Sequence, residues 1–314
     1  MKNHIFSKII CLCFTLCLIF TSFSGCESSK TSSKPKTPPT PVTTQETAEH
    51  ILMSFNITNT NSKDFGNQMW FYRKEKLAEY LLSGDAQVIC MQEVKREQYN
   101  FLKTALESKY DIIYFARESG GNPEGLAIAY DKAVFKANEQ NVFWFSDTPQ
   151  EQSKGWGAKY FRICVNVLLE DIKTGGKLNV FNVHLDDSSV ESRIKSAAML
   201  VEKVKQSEHP AFVAGDFNDK IGSDCYNTIS AYMNDCQQTA PDTDNGITYN
   251  GWGKIADNKT TPIDFGFVSR DTISPLSFKI CRDKWENTNF YSDHYAIKTK
   301  VQVTYTVTKY VDAK

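Results

Sequence analysis

The chain carries almost no net charge. In 314 residues, 36 lysines and arginines stand against 37 aspartates and glutamates. That balance excludes a global electrostatic footprint for nucleic acid and leaves only a local basic patch open. No Gly-x-x-x-x-Gly-Lys-Ser/Thr run occurs, so the backbone cradle of nucleotide-binding loops is missing. No Cys-x-x-Cys pair occurs, and the common zinc frameworks go with it. No internal repeat and no second linker interrupts the main body. The apolar run Ile9–Phe20 is too short to span a bilayer comfortably. No cysteine or serine is set up as a nucleophile.

That apolar run has another reading. Lys2 and Lys8 precede it, and Thr21-Ser22-Phe23-Ser24-Gly25-Cys26 follows. A basic start, an apolar core and small residues read as a secretory signal over residues 1–25. Ser-Gly-Cys resembles a bacterial lipobox, with Phe23 as the departure from its aliphatic residue, and Cys26 becomes the lipidated position. Residues 26–49 are rich in Ser, Thr, Pro and Lys and lack aromatics, which predicts a disordered tether. The expected location is outside the cell, lipid-anchored to the outer face of the cytoplasmic membrane or to an outer membrane. Residues 50–305 suffice for one α/β domain, and 306–314 read as a tail.

Of nine cysteines, Cys90, Cys164, Cys225, Cys236 and Cys281 fall in the domain. Five is odd, so not all pair within the chain. Cys90 and Cys164 sit in apolar runs and read as small buried hydrophobes. Cys225 and Cys236 are the pair that an oxidising compartment would leave for a surface disulfide, although free thiols are the better expectation.

Strand patterns recur at Ile51–Ile57, Ala86–Met91, Ile112–Phe115, Leu126–Tyr130, Asn141–Phe145, Tyr160–Leu169, Lys177–Val183, Ala211–Ala214, Thr261–Ser269 and Tyr295–Val303. Helical spacing marks Lys74–Ser83, Gln98–Tyr110 and Ser189–Lys205. Many more strands than helices predict two packed sheets with helices outside.

Four polar motifs end apolar runs: Gln92-Glu93-Val94, Asn182-Val183-His184-Leu185, Gly215-Asp216-Phe217-Asn218 and Ser292-Asp293-His294. Residues two apart on a strand share a face, which pairs Asn182 with His184 and Asp216 with Asn218. His184 is either a proton-handling group or a hydrogen-bonded core histidine. Asp216 and Asn218 either orient a water and a phosphate or form a strand-end Asx turn. Glu93 suits a hard cation such as Mg²⁺. Asp264, a charge amid apolar residues, needs a partner, and His294 is the candidate. Asp293 points elsewhere and is placed to reach the metal. His50 and His209 lie in polar segments and read as solvated. Tyr249 and Trp252, in a polar-aromatic loop, are candidate substrate contacts.

The order Asn56, Glu93, Asn182-x-His184, Asp216-x-Asn218, Asp264, Asp293-His294 resembles the endonuclease/exonuclease/phosphatase superfamily. Deoxyribonuclease I, abasic-site endonucleases, inositol polyphosphate 5-phosphatases, neutral sphingomyelinases and deadenylases belong to it. Stretches at Glu124–Ile128, Phe143–Pro149 and Gly155–Arg162 look like its bacterial metal-dependent hydrolases, and Asp187 departs from a histidine common there.

The resemblance implies a four-layer α/β sandwich of two mostly antiparallel sheets flanked by helices. It implies Mg²⁺ or Mn²⁺ at Glu93, with Asn56 near it and Asp293 at a second or shared position. It implies His294 paired with Asp264, and His184 paired with Glu124. Asp216 and His294 both stand as candidate general bases, and Arg162 joins Tyr249 and Trp252 as a substrate contact. The reaction implied is in-line hydrolysis of a phosphate ester: a nucleic acid, a phospholipid head group or a sugar phosphate. The rival reading is a non-catalytic surface-binding lipoprotein that keeps only the fold.

Overall fold

The computed structural model of the chain describes residues 40–61, 63–256 and 261–311. The expected signal segment, Cys26 and the tether up to residue 39 lie outside the described residues. Strands β1 (Thr40–Asn56), β2 (Val88–Lys95), β3 (Tyr110–Ala116), β4 (Glu124–Asp131) and β5 (Phe135–Trp144) come first. Next are β6 (Ile163–Asp171), β7 (Lys177–His184), β8 (Ala211–Asp216), β9 (Met233–Asp235) and β10 (Asp242–Thr243). The last are β11 (Asp264–Ser269), β12 (Ile273–Cys281), the small hairpin β13 (Lys284–Trp285) and β14 (Asn289–Phe290), and β15 (Ala296–Val311). The helices are α1 (Trp70–Ser83), α2 (Arg96–Ala105), α3 (Val190–Lys205), α4 (Asp224–Ser230) and α5 (Cys236–Thr239).

Seven strands form one sheet in the order β10-β12-β15-β1-β2-β4-β3, and six form the other as β5-β6-β7-β8-β11-β9. Pairing is mostly antiparallel. The parallel pairs are β1 with β2, β10 with β12, and β7 with β8. Alternation along each strand puts one set of side chains between the sheets, where Leu52, Ile128, Val165, Val180 and Phe212 pack together. The outer face of the larger sheet holds Met53, Ile89 and Met91 against Leu77 and Leu81 of α1 and Leu102 of α2. The outer face of the smaller sheet holds Phe181, Val213 and Phe267 against Leu200 of α3 and Ile229 of α4. Four layers result, as the resemblance implied. Local signals agree: the Ser189 hydroxyl accepts from the Ser192 amide and caps α3.

Two boundaries are corrected. The expected tether reached residue 49, yet β1 begins at Thr40. The expected tail began at 306, yet β15 runs to Val311. The two strands are neighbours in the sheet. Gln45 Nε2 donates to Thr306 Oγ1 at 3.1 Å, and Lys300 and Lys309 pair with Glu49 and Glu46. Composition failed here because paired strands satisfy one another's backbone groups and need little apolar burial. Strand β12 was also missed. Pro275 argues against a strand, and a bulge between Pro275 and Ser277 accommodates it.

His50, expected in solvent, is buried on β1. Tyr305 O–H lies 2.8 Å from its Nε2 and Gln87 Oε1 lies 3.3 Å from its Nδ1. Gln87 Oε1 only accepts, so Nδ1 carries the proton and Nε2 accepts from the tyrosine. Burial lowers the His50 pKa against the opposing charge of Asp171, 3.4 Å away. All five domain cysteines are free. Cys225, on α4, packs in the cluster under α3 while Cys236 lies between the sheets, so they do not form a disulfide.

Candidate active site

The polar motifs meet at one end of the sandwich because pairing register brings their strand ends level. Asn56 is opposite Gln92, His184 is opposite Asp216, and Asp216 is opposite Asp264. Gly215 makes the β7–β8 approach possible. A Cβ there would lie 1.9 Å from the Val183 carbonyl oxygen. A bulge between Met91 and Val94 turns Glu93 out of the β2 ladder. Glu93 and Asn218 both have left-handed backbones, at φ 58° and 49°. Such conformations persist only where surrounding structure imposes them, and they concentrate at functional sites.

Glu93, His184, Asp216, Asn218, Asp293 and His294 line a cavity of about 590 Å³ with Asn59, Lys95, Arg117, Glu124, Tyr160 and Arg162 on its walls. Asn56 sits beneath it, fully buried. Its Nδ2 donates to Glu93 Oε1 at 3.1 Å and to Asp216 Oδ2 at 3.0 Å. Its Oδ1 accepts from the Thr58 amide. Asn56 therefore presents an NH₂ group, not an oxygen, to the two carboxylates and orients them. Glu93 Oε2 also accepts from the Asn59 amide at 3.1 Å. Asp293 accepts from the Thr58 hydroxyl.

His294 Nδ1 is 2.9 Å from Asp264 Oδ2, and its Nε2 is 3.7 Å from Asp216 Oδ2. The Asp264 partnership holds as expected. Burial opposes a charged imidazole, but Asp264, Asp216 and Asp293 outweigh it and raise the His294 pKa well above ordinary. Burial, with the Asp264 charge, pushes Asp216 up to about 7. His184 differs. Burial, reinforced by Arg162 and Arg117, drives its pKa well below ordinary and leaves it neutral.

The expected His184–Glu124 pair is corrected. Glu124 is taken by Arg117 Nη1 at 2.5 Å and by Asn59 Nδ2 at 2.9 Å. His184 Nε2 instead lies 3.6 Å from Asp216. Asn182 is buried below the cavity and clips the sheets together. It accepts from Gln92 Nε2 and donates to the carbonyls of Met91 and Ala127. Asn218 forms the Asx turn: its backbone N–H bonds Asp216 Oδ1, and its Nδ2 donates to the Leu185 carbonyl at 3.0 Å while the residue lines the cavity. Tyr249 lines it too, its ring 5.0 Å from that of His294. Trp252 does not. It lies over Arg73, 5.6 Å from the guanidinium carbon.

One wall suits a hard divalent cation. Glu93 and Asp293 are oxygen donors held by neutral partners, and Asp64 carries a third carboxyl nearby, its pKa raised by burial with help from Asp293 and Glu93. Arg73 is the buried cation beneath them, and its N–H groups are spent on the carbonyls of Ile57, Thr58, Gln68 and Tyr291. Oxygen-only donors with surplus negative charge fit Mg²⁺ or Mn²⁺. Asp216, Asp264 and His294 also place ligand atoms within 4.8 Å of one another. There the 2.9 Å spacing to Asp264 fits a proton on Nδ1, which pairs the imidazole with that carboxylate.

Sequence reasoning missed Arg117, Asn59, Tyr160 and Asp186. Arg117 had a signal: it closes an apolar strand, as the four motifs do. Asp186 stands within the His-Leu-Asp run and is fully buried.

Residues 59–294 match the Endonuclease/Exonuclease/phosphatase family. The structure is similar to the crystal structure of an endonuclease/exonuclease/phosphatase from Bacteroides vulgatus, with 28% identity and a TM-score of 0.76, covering 82% of this chain and 99% of that one. It is similar to a mannosyl-6-phosphatase from Bacteroides thetaiotaomicron, with 28% identity and a TM-score of 0.75, covering 80% and 99%. In sequence it is 25% identical over 210 residues to the CCR4-Not complex 3'-5'-exoribonuclease subunit Ccr4 of Aspergillus niger, covering 51% of this chain and 32% of that protein. The chain spans less than two thirds of the length of such curated relatives.

Proposed function

The chain belongs to the endonuclease/exonuclease/phosphatase family, and from that premise we propose that it hydrolyses a phosphate ester with Mg²⁺ or Mn²⁺. The observation that carries this reading is the Asp264–His294–Asp216 chain, joined through Asn56 to Glu93 in one cavity. Glu93 and Asp293 would hold the cation, which supplies positive charge against the charge that builds on the phosphoryl group. Asp216 takes a proton from the attacking water, because a carboxylate near pH 7 is matched to that task. His294 enters already protonated and so serves as donor, with Asp264 holding its tautomer. Neutral His184 and the Asn218 amide hold phosphoryl oxygens. Attack is in line and forms no covalent intermediate. A surface-binding protein with no reaction to perform has no use for this proton chain.

Sugar phosphates and nucleic acids are the substrates named for the similar phosphatase and exoribonuclease, and both classes suit a panel. Hydrolysis of generic mono- and diesters with Mg²⁺, Mn²⁺ and chelator is the direct test. Absence with every divalent ion, or full activity in Glu93→Gln and His294→Gln, would end this reading. Export and lipid anchoring through Cys26 belong to the same proposal. Fatty-acid labelling should be lost in Cys26→Ser, and a persisting label refutes the anchor.

A further inference from the structure

We propose that Thr58, held in a left-handed backbone by Arg73 and Gln98, is a positioning residue that fixes Glu93 against Asp293 and so makes the site favour Mg²⁺ over Ca²⁺. This rests on the phosphoesterase reading above and adds a cation preference, with its cause, to it.

Thr58 is buried and has φ 56°. For a β-branched side chain that conformation is an outlier, and the surrounding structure has to impose it. The Thr58 carbonyl oxygen accepts from Arg73 Nη2 at 2.5 Å and from Gln98 Nε2 at 2.9 Å. Both donors belong to fully buried side chains. Arg73 Nη1 also donates to the carbonyls of Ile57 at 2.6 Å and Tyr291 at 3.1 Å. One guanidinium thereby gathers the chain leaving β1 and the segment that leads into Asp293. Trp70 and Trp252 flank it, with ring centres 5.1 and 5.6 Å from the guanidinium carbon.

Thr58 reaches both acids of the cation wall. A trans peptide points its carbonyl and its N–H in opposite directions. With the Thr58 carbonyl turned to Arg73 and Gln98, the N–H of the same peptide unit, that of Asn59, meets Glu93 Oε2 at 3.1 Å. The Thr58 hydroxyl donates to Asp293 Oδ1 and accepts from the Asp293 amide at 3.2 Å. The Thr58 amide donates to Asn56 Oδ1 at 3.1 Å, and Asn56 Nδ2 returns to Glu93 Oε1. Every polar group of Thr58 thus has a partner, and the link from Glu93 to Asp293 runs through this one residue.

The preference follows from that rigidity. Mg²⁺ demands near-ideal geometry at short distances, whereas Ca²⁺ accepts looser and less regular donor sets. Carboxylates held at a fixed spacing suit the first ion. Carboxylates free to drift suit the second.

The experiment measures Mg²⁺ and Ca²⁺ affinities by displacement of Mn²⁺, followed by electron paramagnetic resonance, in wild type and three variants. Thr58→Val keeps the shape and removes the hydroxyl. Thr58→Ala removes it while easing the left-handed backbone, so it carries the same prediction if the valine variant fails to fold. Thr58→Ser keeps the hydroxyl. Circular dichroism checks each fold. Loss of an orienting hydrogen bond to a metal ligand should weaken Mg²⁺ binding about 10- to 100-fold, with a Ca²⁺ loss at least about 3-fold smaller. Serine should stay within about 3-fold of wild type, because the orienting bond survives. Unchanged Mg²⁺ affinity without the hydroxyl, equal losses for the two ions, or a serine variant as weak as alanine overturns the role of Thr58. A wild type that binds Ca²⁺ as tightly as Mg²⁺ overturns it too, and one that binds no cation overturns this and the phosphoesterase reading together. The expected affinities with no hydrolysis of any phosphate ester end the phosphoesterase reading alone and leave Thr58 its role.

Discussion

Asp264 and His294 come from segments 30 residues apart and meet with a carboxylate oxygen 2.9 Å from Nδ1. The contact fixes which imidazole nitrogen faces Asp216. Replacing Asp264 with Asn keeps the shape and removes the charge that keeps His294 protonated. We expect kcat to fall by about 10²–10⁴-fold, the usual worth of a positioned proton donor. KM should change far less. Steady-state rates on a phosphate ester check this, and an Asp264→Asn enzyme at wild-type kcat contradicts it.

Asp216 should titrate at about 7 in metal-free protein, because burial and the Asp264 charge both disfavour its ionised form. Carbon-13 carboxyl NMR reads this directly. The acid limb of kcat/KM should lie at or below that pH, since a nearby cation favours the carboxylate. A midpoint close to the ordinary value for aspartate refutes the assignment.

Acid should loosen the fold through its buried histidines. His50 and His184 both have folded pKa values below the ordinary 6.5, so the unfolded chain takes up protons first as pH falls. Their contribution is complete above the ordinary histidine pKa and is lost below it, by up to about 1.4 kcal/mol per pH unit for each. Asp216, its pKa raised to about 7, pulls the other way across the same range, so the histidine share is read as a difference between proteins. Below the ordinary histidine pKa, wild type should lose more stability per pH unit than His50→Gln in urea unfolding, and equal pH dependence argues against this account.

Gly215→Ala should cost at least about 1–3 kcal/mol, the range for overpacking, because the new Cβ strikes the Val183 carbonyl oxygen. Forcing β7 from β8 also separates His184 from Asp216, so activity should fall with stability. A variant with wild-type unfolding midpoint and rate overturns the steric argument.

Much of the site was legible because its polar side chains stand where apolar strands stop. Glu93, His184, Asp216 and His294 each follow or adjoin such a run, and strand register does the rest. Partnerships were harder to read. Glu124 turns to Arg117, not His184, because a turn between β3 and β4 brings those two side chains together. No local pattern encodes that choice. His50 misled for another reason: the residues before it are mostly polar, but strand alternation turns it inward on the same face as Leu52. The layers followed from periodicity. The outer reaches of β1 and β15 did not, because their ladder lies between segments more than 250 residues apart.

Strand β1 has one more implication. It runs unbroken from Thr40 to Asn56. At about 3.3 Å per residue, its first residues lie up to about 50 Å from the amide that orients Glu93 and Asp216. One strand thus links the ladder around Gln45 and Thr306 to the floor of the cavity, where Asn56 lies.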